Sequence, residues 1–181
     1  MVEGGKLTGV GAKPDTSELA TFDVFYRSTR DRLAIQIAAL TGDPVEAVDH
    51  VQEAFIRAWS RWGRVRQLDD PEGWVRRVAH NLAVSRWRRG RRTVLRPQVP
   101  DARIEWDDGQ AEVVAALATL PRSEREAVVW HHVIGLSVEE IAVELHAPVG
   151  TVKSWLSRGR KHLGEALAGT EAANLEALEM T

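Results

Sequence analysis

The chain of 181 residues contains no cysteine. This absence excludes disulfide bonds, thiolate zinc sites and cysteine nucleophiles, and it excludes a redox-sensing thiol of the chain itself. No apolar run approaches the ~18 residues that cross a bilayer, so we expect no membrane insertion. The opening stretch MVEGGKLTGVGAKPDTS lacks the apolar segment of a secretory signal, which favours a cytoplasmic protein with a flexible tail over residues 1–16.

Motifs of common enzyme classes are missing as well. The sequence has no GxxxxGK[ST] phosphate loop, no HExxH zinc motif and no GxSxG nucleophile turn. Asp69 and Asp70 precede Pro71, where an N-cap explains them without metal chemistry. None of the six histidines has metal-ligand spacing with acids. We therefore predict a protein that is not an enzyme and has no metal and no cofactor.

The net charge of −2 hides an uneven distribution. Basic residues outnumber acidic ones from Met1 to Val99, and arginines crowd the stretch from Arg86 to Arg96. Binding to nucleic acid depends on local potential and not on total charge. The pattern indicates one anion-binding face, although a solvated helix end explains the same arginines.

Apolar residues recur at helical spacing, and no stretch alternates for long enough to predict a sheet. A first helix is expected from Thr16 or Ser17 to about Gly42. Asp43–Pro44 and Asp70–Pro71 each combine an N-cap acid with a first-turn proline, so they mark the starts of two more helices. The sequence therefore predicts a bundle of three helices over residues 17–92.

Periodicity stops between about 93 and 111, where prolines and acids indicate a linker. It returns over 112–166, with a capping box at Ser137 and Glu140 and a last helix after Pro148. Residues 167–181 form a tail that adds a weak helical turn or frays. The predicted fold is all-α, with two small helical bundles joined by a flexible linker.

The segment LSVEEIAVELHAPVGTVKSWLSRGRKHL has the spacing of a helix-turn-helix. Its apolar positions close a small core and leave polar side chains of the last helix where a DNA major groove would meet them. Trp155 either packs against the preceding helix or contacts the sugar-phosphate wall. A helical hairpin without a DNA role is the alternative. The predicted DNA contacts are Thr151, Lys153, Ser154, Trp155, Arg158 and Arg160.

With its flanks, this segment resembles region four of extracytoplasmic-function (ECF) sigma factors in the sigma-70 family, the domain that reads the minus-thirty-five element. PVEAVDHVQEAFIRAWSRW resembles the part of region two that grips RNA polymerase, and LDDPEGWVRRVAHNLAVSRWRR resembles the part that reads and melts the minus-ten element. The resemblance covers Phe22 to Leu163. It implies a non-enzymatic polymerase subunit that directs promoter-specific transcription initiation.

The resemblance also implies two sets of contact residues in the first bundle. Trp74, Phe55 and Trp59 are explained as well by a place in the core. The implied partners are promoter DNA and core RNA polymerase, through its beta-prime clamp helices and beta flap. Whether an anti-sigma factor is also a partner is left open. The implied polymerase contacts are Asp49, Gln52, Glu53, Phe55, Arg57 and Trp59. The implied minus-ten contacts are Trp74, Arg76, Arg77, His80, Asn81, Arg86, Arg88 and Arg89.

Several residues depart from the family's usual pattern. His80 stands where a basic residue is common, and Trp155 where an arginine or histidine is usual. His146 replaces the usual turn glycine, and it is tolerated at some cost if that turn requires positive φ. His50 and Ser85 stand where an aliphatic residue and an aspartate are frequent. The alternative class is a helix-turn-helix regulator that binds duplex DNA without polymerase, while the arginine asymmetry disfavours an adaptor with no nucleic-acid role.

Overall fold

The computed structural model describes residues 16–88 and 107–179. Within these ranges all regular elements are α-helices, so the predicted all-α fold is confirmed for the described part of the chain. The predicted N-terminal tail, apart from Thr16, and most of the predicted linker lie outside the described residues. The eight helices are α1 Thr16–Thr41, α2 Pro44–Trp59, α3 Trp62–Val65, α4 Pro71–Arg88, α5 Asp108–Ala118, α6 Arg122–His132, α7 Val138–Glu144 and α8 Val149–Glu179. We call α1–α4 the first module and α5–α8 the second module.

Two helix starts in the first module form as the sequence predicts. The Oδ1 atom of Asp43 accepts hydrogen bonds from the backbone N–H groups of Val45 and Glu46, both at 3.0 Å. Asp70 Oδ1 accepts from the N–H of Gly73 at 2.7 Å in the first turn of α4. A proline opens each helix, where its missing N–H would have had no helical partner. Each cap of this kind stabilises a helix by about 1 kcal/mol.

Aromatic side chains fill the space between α1, α2 and α3. Phe22 and Trp59 have ring centroids 4.9 Å apart, and Tyr26 and Phe55 are 4.8 Å apart. The single turn α3 carries Trp62 into this cluster, where its Nε1 donates to Thr21 Oγ1 at 3.1 Å. Helix α3 could not be predicted from the sequence, because four residues are too few to show helical periodicity.

The second module contains the predicted helix-turn-helix, formed by α7 and the start of α8. The capping box is confirmed: Ser137 Oγ accepts from the Glu140 N–H at 3.2 Å, and Glu140 Oε2 accepts from the Ser137 N–H at 2.8 Å. His146 in the turn has φ of 52°, the left-handed region that favours glycine. The turn therefore requires a positive φ, and histidine is tolerated there at some cost.

Helix α8 continues without a break past residue 166, where the sequence analysis ended the second bundle. Residues 167–179 of the predicted tail therefore belong to a 31-residue helix and do not form a separate weak turn. Alanine, leucine and glutamate, which dominate this stretch, are strong helix formers, and proline is absent from it. The described helices include none that is long and apolar enough to cross a membrane.

The two modules pack against each other. Helix α1 contacts α5 and α6, and the buried apolar residues of both modules form one continuous cluster. Arg125 Nε donates to the carbonyl oxygen of Leu40 at 3.0 Å. Gly42 ends α1 with φ of 75°, and a Cβ at this position would lie 3.0 Å from Ala118 Cβ. The two bundles therefore share an interface in this structure.

Candidate nucleic-acid interface

The N-terminal half of α8 presents the residues predicted to read DNA. Val152 and Leu156 are buried and fix the helix against its module. Lys153 and Ser154 are exposed, as are Arg158 and Arg160 further along, and Thr151 is half-buried. Trp155 is half-buried and packs against the core cluster, as the packing alternative expects. The structure thus brings the predicted polar residues together on one accessible helix.

A buried acid that is not among the predicted site residues anchors this helix. Glu124 on α6 is 5% exposed, and its carboxylate accepts from Arg158 Nε at 2.8 Å and from His162 Nδ1 at 2.7 Å. Burial alone would raise the pKa of Glu124, but the hydrogen bonds from Arg158 and His162 outweigh it and hold the pKa below the ordinary glutamate value. The signal in the sequence was the spacing of Glu124 from Ala127 and Val128, which places the acid on the apolar face of α6.

Helices α6 and α8 approach closely at one point. A Cβ at Gly159 would lie 2.7 Å from Val128 Cγ2 and 3.0 Å from the carbonyl oxygen of Glu124. Only a residue without a side chain fits there without displacement of a helix. This close approach, next to the Glu124–Arg158 pair, fixes the position at which α8 crosses α6.

The residues predicted for minus-ten DNA lie on α4 in different environments. Trp74 is half-buried against the core, and Asn81 is exposed. Arg76 is half-buried, and its Nε has no hydrogen-bond partner among the residues that the structure describes. Arg86 and Arg88 belong to α4, but their side chains lie outside the described residues, as does the whole of Arg89. We call Trp74, Arg76, Arg77, His80 and Asn81 the α4 face.

The second module covers part of the α4 face. His80 is 7% exposed; its Nε2 lies 3.3 Å from Glu126 Oε1, and its ring meets Trp130 edge-on with centroids 5.4 Å apart. The exposed Arg77 is paired with Glu144 on α7, with NH2 and Oε2 2.9 Å apart. In this arrangement His80 therefore leaves little of its surface accessible for the DNA contact predicted for it.

Hydrogen bonds from two side chains favour the ionised form of Glu126. It is 8% exposed and accepts from His80 across the module boundary and from Arg122 Nε at 2.8 Å within α6. Burial would raise the pKa of Glu126, yet the hydrogen bonds from His80 and Arg122 lower it below the ordinary value. Beside it, the buried Nε1 of Trp130 lacks a hydrogen-bond partner within the described part of the chain, which costs about 1–3 kcal/mol.

Helix α2 carries the residues predicted to contact polymerase. Asp49 and Arg57 are exposed, and Gln52 and Glu53 are half-buried, with Arg57 Nε donating to Glu53 Oε1 at 3.1 Å. Phe55 is 3% exposed within the aromatic cluster, so this structure offers it no contact with a partner and the core alternative applies. Trp59 is half-buried against Phe22.

Ile56 on α2 belongs to the helical apolar pattern of the sequence, yet its side chain is 63% exposed. It lies one turn from Gln52 and Glu53 in the middle of the predicted polymerase-contact set. Among the described residues, no group of three or more histidines, aspartates or glutamates is placed to hold a metal ion.

Two helical modules, one with a solvent-facing basic reading helix and one with a charged face on α2, define a transcription protein of the DNA-binding class. The family models "Sigma-70 region 2" and "Sigma-70, region 4" match residues 25–93 and 110–163. The RNA polymerase sigma-E factor of Streptomyces antibioticus is 34% identical over 90% of this chain and 92% of its own length. The ECF RNA polymerase sigma factor EcfG of Rhodopseudomonas palustris is 31% identical over 71% of this chain and 75% of its own.

Among solved structures, the sigma factor RpoE of Bartonella quintana, crystallised with the anti-sigma factor NepR, matches with a TM-score of 0.61. It is 24% identical, over 82% of this chain and 97% of that one, and it supports the fold. The chain belongs to the sigma-70 family of RNA polymerase sigma factors and, within it, to the ECF type.

Proposed function

We propose that this sigma factor uses α2 to hold core RNA polymerase, the α4 face to read and melt the minus-ten element, and α8 to read the minus-thirty-five element. The first and second modules, expected from the sequence over residues 17–92 and 112–166, then act on two stretches of one promoter. The sequence predicts a linker over 93–111 between them, although α5 already begins at Asp108. The supporting observation is the exposure of Lys153 and Ser154 on a helix that Val152 and Leu156 fix from beneath.

Each assigned role follows from side-chain chemistry. Lysine and serine at the start of a reading helix donate to base edges and phosphates in the major groove. Strand opening needs a surface that binds unpaired bases better than paired ones, because extruding a base costs a few kcal/mol of lost stacking and pairing. On α4, Asn81 offers an amide for a base edge, and Trp74 offers an aromatic ring for stacking.

The chain itself supplies no covalent chemistry in this proposal. It is a non-catalytic subunit, acts in the cytoplasm with polymerase, and lends the enzyme its promoter specificity. Its contacts on polymerase are the beta-prime clamp helices for α2 and the beta flap for the second module. An anti-sigma factor is a candidate partner, since the B. quintana relative was crystallised with one.

Run-off transcription with bacterial core polymerase over a library of random promoter sequences tests the proposal. We expect initiation at sites that share two short elements separated by a fixed spacer. A matched reaction with core polymerase alone gives the background. A chain that neither joins core polymerase nor starts RNA synthesis at any defined site is not a sigma factor. Tight binding to duplex DNA without polymerase would favour the helix-turn-helix regulator.

A further inference from the structure

A cavity of about 180 Å³ lies where the end of α1, the start of α2, α4 and α6 meet. Well-packed protein interiors contain few voids larger than a water molecule, so a space of this size is large enough to hold a small ligand. Among the described residues that line the cavity, His80 is the one contact assigned to DNA, and none is assigned to polymerase. The roles proposed above therefore leave this cavity almost entirely unexplained.

Arg125 supplies a positive charge to the cavity wall. Within the described part of the chain its guanidinium donates only to carbonyl oxygens, from Nε to Leu40 at 3.0 Å and from NH1 to Ala118 at 3.3 Å. Glu126 lines the same cavity, but its carboxylate is already bonded to two other side chains. Burial of the guanidinium lowers the pKa of Arg125 below the ordinary arginine value. A half-buried arginine with these partners favours a carboxylate ligand, which fits its forked donors.

Asp43 supplies a negative charge to the same cavity. Its Oδ1 caps α2 by accepting from two backbone N–H groups, both at 3.0 Å, and its Oδ2 accepts no hydrogen bond from the described residues. Asp43 and Arg125 both line the cavity and, in the described structure, form no ion pair with each other. A small ligand that carries an ammonium group and a carboxylate can therefore satisfy both residues at once.

The remaining wall favours a short apolar group. Leu40, Ala83 and Val84 line the cavity with aliphatic carbon. An engineered cavity of about 150 Å³ holds benzene, so about 180 Å³ accepts a molecule slightly larger than benzene. This size excludes a nucleotide or a peptide and suits an amino acid with a short aliphatic side chain.

We propose that this cavity binds a free α-amino acid with a short aliphatic side chain. The ligand's carboxylate binds the guanidinium of Arg125, and its ammonium group binds Oδ2 of Asp43. Its side chain contacts Ala83 and Val84. Binding requires neither promoter DNA nor polymerase, so the full chain alone is sufficient for the tests, and their outcome is independent of the run-off result.

Small molecules of matched shape test which charges the site requires. L-Valine carries both charges, isovalerate lacks its ammonium group, and isobutylamine lacks its carboxylate. Each is titrated into the ¹⁵N-labelled full chain, and the backbone amide signals are followed by nuclear magnetic resonance. We expect saturable shifts at Thr41, Ala83 and Val84 with L-valine at a Kd of about 1 mM. The two incomplete molecules should bind at least about tenfold more weakly, because each loses one charge-assisted contact.

Two results of these titrations overturn the proposal. The first is the absence of saturable shifts around the cavity with L-alanine, L-valine and L-leucine alike, which would leave the space to water. The second is an equal response to isovalerate or to inorganic phosphate, which would show simple anion binding at Arg125 without a role for Asp43.

A charge variant tests Asp43 without removing the helix cap. Asp43→Asn keeps a residue that caps helices as well as aspartate does, but it removes the charge that binds the ammonium group. We expect about tenfold weaker binding of L-valine with an unchanged Tm. Asp69→Asn makes the same change at an exposed position outside the cavity and serves as the control. Equal affinities in the two variants would contradict the role of Asp43.

A steric variant tests the location of the site. Ala83→Phe adds a ring to the cavity wall on α4 and should abolish L-valine binding, whereas Ala20→Phe makes the same change at an exposed position of α1. Circular dichroism establishes that both variants fold. Retained binding in folded Ala83→Phe overturns the placement of the ligand. If Ala83→Phe does not fold, the comparison of Asp43→Asn with Asp69→Asn decides.

Discussion

Arg158 on the reading helix is joined to Glu124 on α6 by a 2.8 Å bond from Nε to Oε1, and the acid is buried while half of the arginine side chain is exposed. The pair fixes one end of the guanidinium and leaves the other end for solvent or phosphate. Glu124 therefore positions Arg158, which is predicted to contact DNA, although the acid is itself buried.

Glu124→Gln should lower the free energy of unfolding by about 1 kcal/mol, because both hydrogen bonds weaken but the freed arginine remains solvated. Urea unfolding of the full chain measures the change. Glu165→Gln, which breaks an exposed pair with Lys161 at 3.8 Å, should stay within about 0.5 kcal/mol of the wild type. A Glu124 effect no larger than that of Glu165 would show that the buried pair is not an anchor.

Acid should destabilise the second module through its two buried glutamates. The pKa values of Glu124 and Glu126 are lowered in the folded chain, so the unfolded chain binds more protons below the ordinary glutamate pKa. Their contribution is complete above about pH 4.5 and is lost as the pH falls through the folded pKa values. Thermal unfolding between about pH 3 and pH 7 should show this loss. The variant Glu124→Gln, Glu126→Gln should show a flatter profile, and an unchanged slope would contradict the assignment.

Lys153→Ala should weaken promoter binding by the holoenzyme and leave its assembly intact. Loss of one reading-helix contact costs about 1–3 kcal/mol, or roughly fivefold to a hundredfold in affinity. Gel-shift titration with a promoter selected by the run-off library measures this loss. Arg158→Ala should act in the same direction and also lower the salt slope by about one unit. Lys161→Ala, on the same helix outside the predicted set, is the control. Loss of polymerase association in the Lys153 or Arg158 variant would contradict the division of roles between the modules.

Asp49→Lys should impair association with core polymerase before it affects DNA binding, because Asp49 is exposed on α2 and a reversed charge opposes a complementary partner surface. Glu53→Lys should do the same, with an added loss of its bond to Arg57. Size-exclusion chromatography with core polymerase gives the readout. Asp23→Lys on α1 is the matched reversal at an exposed position outside α2. An equal loss of polymerase binding in this variant would show that the effect does not depend on α2.

Ile56→Ser should reduce polymerase binding without a loss of fold stability. The side chain is 63% exposed, so it contributes little to the stability of the fold. A partner would bury it, and truncation to serine would then cost about 1–2 kcal/mol of binding free energy. Binding and thermal unfolding measured on the same sample separate the two effects. Val45→Ser, on the same helix and 76% exposed, serves as the comparison. A variant that unfolds more easily but binds normally would place Ile56 in the core.

The local features of the fold could be predicted because short sequences determine them. Asp43, Asp70 and the Ser137–Glu140 pair make caps within three residues of themselves, and the sequence shows both partners of each bond. The helix-turn-helix follows for the same reason, since its core comes from two adjacent helices. The left-handed turn at His146 could be expected only through the family's usual glycine at that position.

The remaining features depend on contacts between distant parts of the chain. His80 and Glu126 are 46 residues apart, and Arg77 and Glu144 are 67 apart, so periodicity cannot pair them. Phe55 and Ile56 are adjacent in sequence and therefore about 100° apart around α2, which leaves Phe55 on the buried side and Ile56 on the opposite, exposed side. The predicted roles on α4 could not reveal that the other module covers part of that surface.

The crossing of α6 and α8 at Gly159 limits how this protein can vary. Substitution by alanine, the smallest possible change, would place a methyl group 2.7 Å from Val128, and the reading helix would have to tilt to make room. If α8 reads DNA as proposed, a small tilt at the crossing would move Lys153 along the groove. Promoter preference would then change through a residue that is not predicted to contact a base.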